Sequence, residues 1–137
     1  MKTLYPFYLL ILIFFISCAQ PKESLYADFD ELVRSNDISL GYVPVIIPGD
    51  AKDIKVLPSG NRAYGQFAFT KDYYSCLELD PASLDAVTRE LPNEKELTRP
   101  EWFPSTEQLR ERELEYYAFK DFHLIVDHKG RMGYFLK

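Results

Sequence analysis

Two stretches of this chain alternate between apolar and polar residues, and that period of two constrains the fold more than any other feature. From Arg62 to Thr70, Ala63, Gly65, Phe67 and Phe69 fall on one side, and Arg62, Tyr64 and Gln66 on the other. Side chains of a strand project alternately to its two sides, so this run reads as a strand with one face buried. A second run puts Phe122, Leu124 and Val126 on a core side and Asp121, His123, Ile125 and Asp127 facing away. Turn chemistry bounds both. Pro58-Ser59-Gly60-Asn61 precedes the first, and His128-Lys129-Gly130 follows the second as a three-residue hairpin loop with Gly130 in the left-handed position.

The remaining elements assemble around these strands. Asp53 to Leu57, with Ile54 and Val56 on one side, pairs with Arg62–Thr70 as a hairpin. Glu115 to Lys120, Phe122 to Asp127 and Arg131 to Leu136 form a C-terminal β meander, whose last strand lies at an edge blunted by Arg131 and Lys137. Ser24 to Arg34 reads as a helix, with Leu25, Phe29 and Leu32 at spacings of four and three. Asp72 caps a helix running to Leu79. Asp80-Pro81 opens another, with Leu84, Val87 and Leu91 as its stripe and Pro92 as its stop. Ser105 starts a short helix with Gln108 as its capping-box partner. Gly41 to Asp50 holds Pro44, Pro48 and Gly49, so Tyr42-Val43 and Val45-Ile46-Ile47 are at most short extended pieces. The fold class is α+β: an antiparallel sheet of four to five strands with helices packed on one face, in a single globular domain over residues 25–137.

The N-terminus is of another kind. Lys2 precedes an apolar run from Leu4 to Ile16, broken by Pro6 and followed by Ser17, Cys18 and Ala19. A positive start, a short apolar core and small residues at the cut are the parts of a secretory signal. The run is shorter than the roughly 20 apolar residues an ordinary membrane-spanning helix needs. Phe15-Ile16-Ser17-Cys18 resembles the lipobox of bacterial lipoproteins, departing from its commonest form at Phe15 and Ile16. The resemblance implies cleavage after Ser17 and a diacylglycerol thioether on Cys18. Residues 1–17 are then a signal peptide, and 18–24 an acylated cysteine with a polar tether. The resemblance further implies lipid anchoring in the cell membrane or outer membrane with the domain facing the periplasm; Ala19, rather than Asp, after the cysteine favours the outer membrane. An ordinary cleaved signal or an uncleaved anchor are the rival readings.

Composition narrows the chemistry. The formal net charge of −5, with no basic stripe, argues against nucleic acid as a partner and against an electrostatic grip on anionic lipid. With Cys18 spent on lipid, only Cys76 remains, so neither an internal disulfide nor a cysteine-based zinc site can form. The acids and histidines around Phe122–Asp127 read as a half-exposed polar face interrupted by Ile125, and no metal site is assigned. The two histidines lack HExxH spacing, Ser59 and Ser75 lack a nucleophile elbow, and no Gly-rich loop cradles a phosphate. No catalytic residue and no cofactor are assigned, and the chain reads as a non-enzyme.

Candidate binding residues come from aromatics. Arg99-Pro100-Glu101-Trp102-Phe103-Pro104 closes a long loop, 92–104, stiffened by prolines. Trp102, the only tryptophan, fits a partner anchor, with Phe103 and Arg99 beside it. The alternative is that Trp102 and Phe103 pin the loop to the core. Tyr116 and Tyr117 point to opposite sides of one strand, so one is exposed or lies under a helix, and Tyr117 joins the candidates. The expected function is a membrane-anchored cell-envelope binding or accessory module that recognises an envelope protein through an exposed sheet face and the 92–104 loop. An immunity or inhibitor lipoprotein is one alternative, and a carboxylate-dependent glycan or peptide hydrolase another.

Overall fold

The computed structural model describes residues 22–71, 79–91 and 99–137. Ten elements follow in chain order: β1 (Ser24–Asp28), α1 (Phe29–Arg34), β2 (Lys52–Ser59), β3 (Arg62–Ala68), β4 (Asp80–Pro81), α2 (Leu84–Glu90), α3 (Thr106–Glu111), β5 (Glu115–Phe119), β6 (Phe122–Asp127) and β7 (Met132–Leu136). All described strands join one antiparallel sheet of seven, in the order β1-β2-β3-β7-β6-β5-β4. The sheet-rich α+β class matches expectation, and the strand count exceeds the four to five read from the sequence.

The two additional strands come from segments read as helix. Ser24–Asp28 pairs with β2 over Ser24↔Val56 to Asp28↔Lys52. The helical spacing of Leu25, Phe29 and Leu32 is overridden there, because the free edge of β2 offers backbone partners. The helix starts only at Phe29, where the Asp28 carboxylate accepts the Glu31 N–H at 2.9 Å. Likewise Asp80-Pro81 does not open a helix. It pairs with Ala118 and Tyr117 as a short edge strand, and Ser83 caps α2 through the Ala86 N–H. Pro81 is tolerated because an edge strand leaves one side unpaired.

The β2–β3 hairpin closes through a two-residue loop, Gly60-Asn61, with Gly60 at φ +59°. The β6–β7 hairpin differs from expectation. Asp127 pairs with Met132, so four residues form the loop, and the left-handed residue is Arg131 (φ 53°) rather than Gly130. Asp127 Oδ1 accepts the Gly130 N–H at 2.7 Å, which already turns the chain. β7 is not an edge either. It lies between β3 and β6, and the Lys137 N–H continues the ladder to the Ala63 carbonyl. Residues 42–47 form turns without a strand, although Val43 and Ile47 are buried. The expected helix over Asp72–Leu79 lies outside the described residues except for Leu79, which is not helical.

Both faces of the sheet are covered, against the expectation of helices on one face. On the first, Ile54, Val56, Phe67, Phe135, Phe122, Leu124 and Val126 pack with Leu32 of α1 and with Val43, Ile47 and Ala51 of the following turns. On the second, Leu57, Tyr64, Ile125, Tyr134 and Leu136 pack with Val87 of α2, Leu109 of α3 and Phe103. Ile125 is 0 % exposed and Tyr64 1 %, so the side read as facing away is a second core. No exposed sheet face remains there for a partner.

The strand register defines two ends. The near end carries the Gly60-Asn61 and Lys120-Asp121 turns and Lys137, whereas β1 begins beside Val56, partway along β2. The far end carries the starts of β2, β5 and β7 and the 128–131 loop.

Candidate functional site

With both faces filled, the accessible chemistry lies at the two ends. At the far end β5 begins with Glu115, paired with Val126 of β6. The hairpin register carries the 128–131 loop back over this position. His128 Nε2 lies 2.8 Å from Glu115 Oε2, and the Tyr117 hydroxyl donates to the same oxygen. Glu115 and Tyr117 can meet because residues two apart on a strand share a side. The hydroxyl donor first, then the imidazole, hold the Glu115 carboxyl below the usual carboxylate range.

Beside this cluster opens a cleft of about 580 Å³ between the end of α3 and the β6–β7 loop. Glu111, Arg112, Glu113, Asp127, Lys129 and Gly130 line it. Arg112 Nη1 stands 4.0 Å from Asp127 Oδ2, while Asp127 Oδ1 fixes the loop. The capping box of α3 (Ser105 and Gln108) and the Tyr116 hydroxyl, which donates to the Leu109 carbonyl at 2.9 Å, orient the helix that forms one wall. Burial pushes the Tyr116 hydroxyl above its ordinary value. Another far-end carboxylate, Asp50, accepts the Thr70 and Lys71 N–H groups at 2.9 and 3.0 Å and the Thr70 hydroxyl, which holds it below the usual range.

Just ahead of β1 the Trp102 indole N–H donates to Glu23 Oε2 at 2.9 Å. Trp102 is half-buried against the second core. Phe103, 1 % exposed, sits with its ring centroid 4.7 Å from Tyr64 and 5.9 Å from Tyr134. Phe103 is therefore core and offers no surface, whereas part of Trp102 is accessible. Arg99 is half-buried ahead of the Pro100 turn, and Tyr117 packs against the opposite face of the sheet. The structure thus keeps Trp102 and Phe103 together and places Tyr117 elsewhere. Residues 92–98 of the candidate loop, Cys18 and Cys76 lie outside the described residues.

The residues weighed as metal ligands are dispersed. Asp121 pairs with Lys137 at 3.2 Å at the near end, His123 is partly buried along β6 with an unpartnered Nδ1, and Asp127 and His128 lie at the far end. Among the described residues no group of three or more His, Cys, Asp or Glu is placed to hold a metal ion, and no helix is long and apolar enough to cross a membrane. Sequence reasoning missed two contacts. The Glu115–His128 contact follows from hairpin register, since any residue just past β6 must overhang the start of β5. Glu23, assigned to the tether, had no local signal, because its partner is 79 residues away.

Comparison with protein-family models, with curated proteins and with solved structures found no match.

Proposed function

We propose that this chain is a cell-envelope lipoprotein, anchored through Cys18, whose domain is a non-enzymatic binding or accessory module with the far-end cleft as its recognition surface. One observation carries the reading. Both sheet faces are filled, and the cleft brings several charged side chains together in the open. Arg112 is paired with Asp127, which leaves Glu111 and Glu113 as the outward charges of that wall with Lys129 opposite. A basic segment of an envelope protein complements that wall. The test is affinity capture of the full chain from native membranes, beside a Glu111→Lys/Glu113→Lys variant. A partner retained by the parent and lost by the variant supports the module. Equal retention moves the recognition surface elsewhere.

The hydrolase reading keeps one specific support, the carboxylate, imidazole and phenol on a single oxygen of Glu115 beside a cleft. A Glu115→Gln variant that stays folded and loses turnover on cell-wall glycan or peptide substrates would replace the binding module with an enzyme.

A further inference from the structure

We propose that β1 is a docking edge for a second copy of this chain, the two β1 strands running antiparallel with Leu25 facing Leu25 across a two-fold axis. This rests on the fold alone and not on the lipoprotein reading. Among the described strands the other edge of the sheet is β4, two residues long and half proline, which suits it to end a ladder. β1 has five residues and no proline. Its register against β2 is Ser24↔Val56, Leu25↔Lys55 and Tyr26↔Ile54. The Ala27 N–H donates to the Glu31 carboxylate at 2.6 Å and has no partner in that ladder. Backbone groups two residues apart on a strand point the same way, so the N–H and C=O of Leu25 face out from the sheet with those of Ala27. The Leu25 side chain is 65 % exposed. An open pair of backbone groups and an uncovered apolar side chain coincide at one residue of the edge.

Register and charge select the occupant. Two identical antiparallel strands that exchange hydrogen bonds centre on a residue whose backbone faces outward, which here means Glu23, Leu25 or Ala27. Centring on Glu23 sets two like charges opposite each other. Centring on Ala27 brings the two Glu31 carboxylates together at the axis. Centring on Leu25 sets leucine against leucine, Glu23 against Ala27 and Lys22 against Asp28, so symmetry makes two opposite-charge pairs. The edge is therefore complementary to itself in one register. The Glu23 carboxylate is already held by the Trp102 indole N–H at 2.9 Å. Pairing requires Glu31 to release the Ala27 N–H, which the Glu23 carbonyl of the second copy takes. Lys22 of that copy then stands across Asp28, next to Ala27. Glu31 thus competes with the second copy, which makes the dimer weak and dependent on concentration. A strand of a different protein is the rival occupant.

The full chain, purified as its host makes it, is followed by analytical ultracentrifugation over a range of concentrations. The expected result is a reversible monomer–dimer equilibrium. Lys22→Glu should weaken the dimer about ten-fold, from the loss of two cross-strand charge pairs. Glu31→Ala, which frees the Ala27 N–H, should tighten it several-fold. Leu25→Lys sets two ammonium groups across the axis and should abolish it at an unchanged thermal midpoint. Cross-linking reads the register directly. Facing Cα atoms of a hydrogen-bonded antiparallel pair lie ~5.5 Å apart, within disulfide reach. Leu25→Cys should therefore link to its own copy under mild oxidation, and Ser24→Cys, which faces Tyr26 in this register, should not. The parent chain, with Cys18 and Cys76, sets the background. The cross-link decides the matter even where Leu25→Lys fails to fold. A parent chain that stays monomeric throughout overturns the proposal, whether or not β1 takes a strand from another protein. A dimer that survives both Lys22→Glu and Leu25→Lys, or that links through Ser24→Cys as readily as through Leu25→Cys, overturns the β1 pairing by placing the contact elsewhere.

Discussion

The two faces of the sheet are filled by different means. On the first face β3 and β7 exchange rings for glycines. Gly65 pairs with Phe135, and Phe67 with Gly133. A Cβ on Gly65 would lie 1.8 Å from the Phe135 ring, and one on Gly133 2.2 Å from the Phe67 ring. Each phenylalanine ring fills the space that a side chain on its partner glycine would take. On the second face the same strands present Tyr64, Tyr134 and Leu136, covered by two short helices and Phe103. That cover is held by side-chain caps and by the Tyr116 hydroxyl. The first face depends on close packing with little room to adjust, and the second on several small, separable contacts.

The largest expected effect comes from comparing two fully buried phenylalanines. Truncating a buried phenylalanine costs ~3–5 kcal/mol, more where the surroundings cannot collapse into the space. Phe135→Ala uncovers a glycine, which has no side chain to move inward, and should fall near the upper limit. Phe103→Ala lies on a connecting segment that can shift, and should fall near the lower. Urea unfolding of both variants checks this, and equal losses would break the distinction between the faces. Next comes Gly65→Ala, with an expected loss of about 1–3 kcal/mol from overpacking. Combining it with Phe135→Leu should recover part of that loss, because the smaller side chain vacates the ring's place. Strict additivity in the double-mutant cycle would show that the two positions are not coupled. On the second face Ser105→Ala removes one half of the α3 capping box and should cost about 1 kcal/mol, leaving the first face's unfolding cooperativity unchanged.

The same division explains what the sequence disclosed. The first face was legible because Phe67, Phe122, Leu124 and Val126 alternate with polar residues, and periodicity detects that contrast. The second was not, because Tyr64, Gln66 and His123 count as polar in such a pattern, although tyrosine carries a large apolar ring. Local chemistry was also legible: Gly60-Asn61 turns the hairpin, and Ser105 with Gln108 caps α3. What failed depended on distant partners. Ser24–Asp28 has helical spacing but takes the ladder offered by β2. β7 has nothing in its own residues to say that β3, some 70 positions earlier, will pair with it and make it central. At the candidate site Trp102 was found from residue type, whereas Glu23 and the Glu115–His128 contact required knowing where the backbone returns.

The smallest expected effect distinguishes the tyrosines on the two sides of β5. Tyr117, on the first face, donates to a carboxylate that titrates, and Tyr116, on the second, to a backbone carbonyl that does not. Glu115 is held below its ordinary value by the Tyr117 hydroxyl and then by His128, so between the folded and unfolded values the unfolded chain binds more protons. That contribution to stability is complete above the unfolded carboxyl value of about 4.3 and disappears as pH falls through the lower folded value. Asp50 has the same sign through Thr70, so the parent chain's own acid sensitivity does not isolate Glu115; a difference between chains does. The Glu115 side chain is 52 % exposed, which limits the contact to the ~0–1 kcal/mol of solvent-exposed pairs. Urea midpoints of the parent and Glu115→Gln should therefore differ slightly at about pH 7 and converge at about pH 3, below the carboxylate range. Tyr116→Phe should shift the midpoint equally at both. If the Glu115→Gln difference survives at the lower pH, the contact acts through shape and neutral hydrogen bonding, and the contrast between the two sides of β5 is one of position rather than charge.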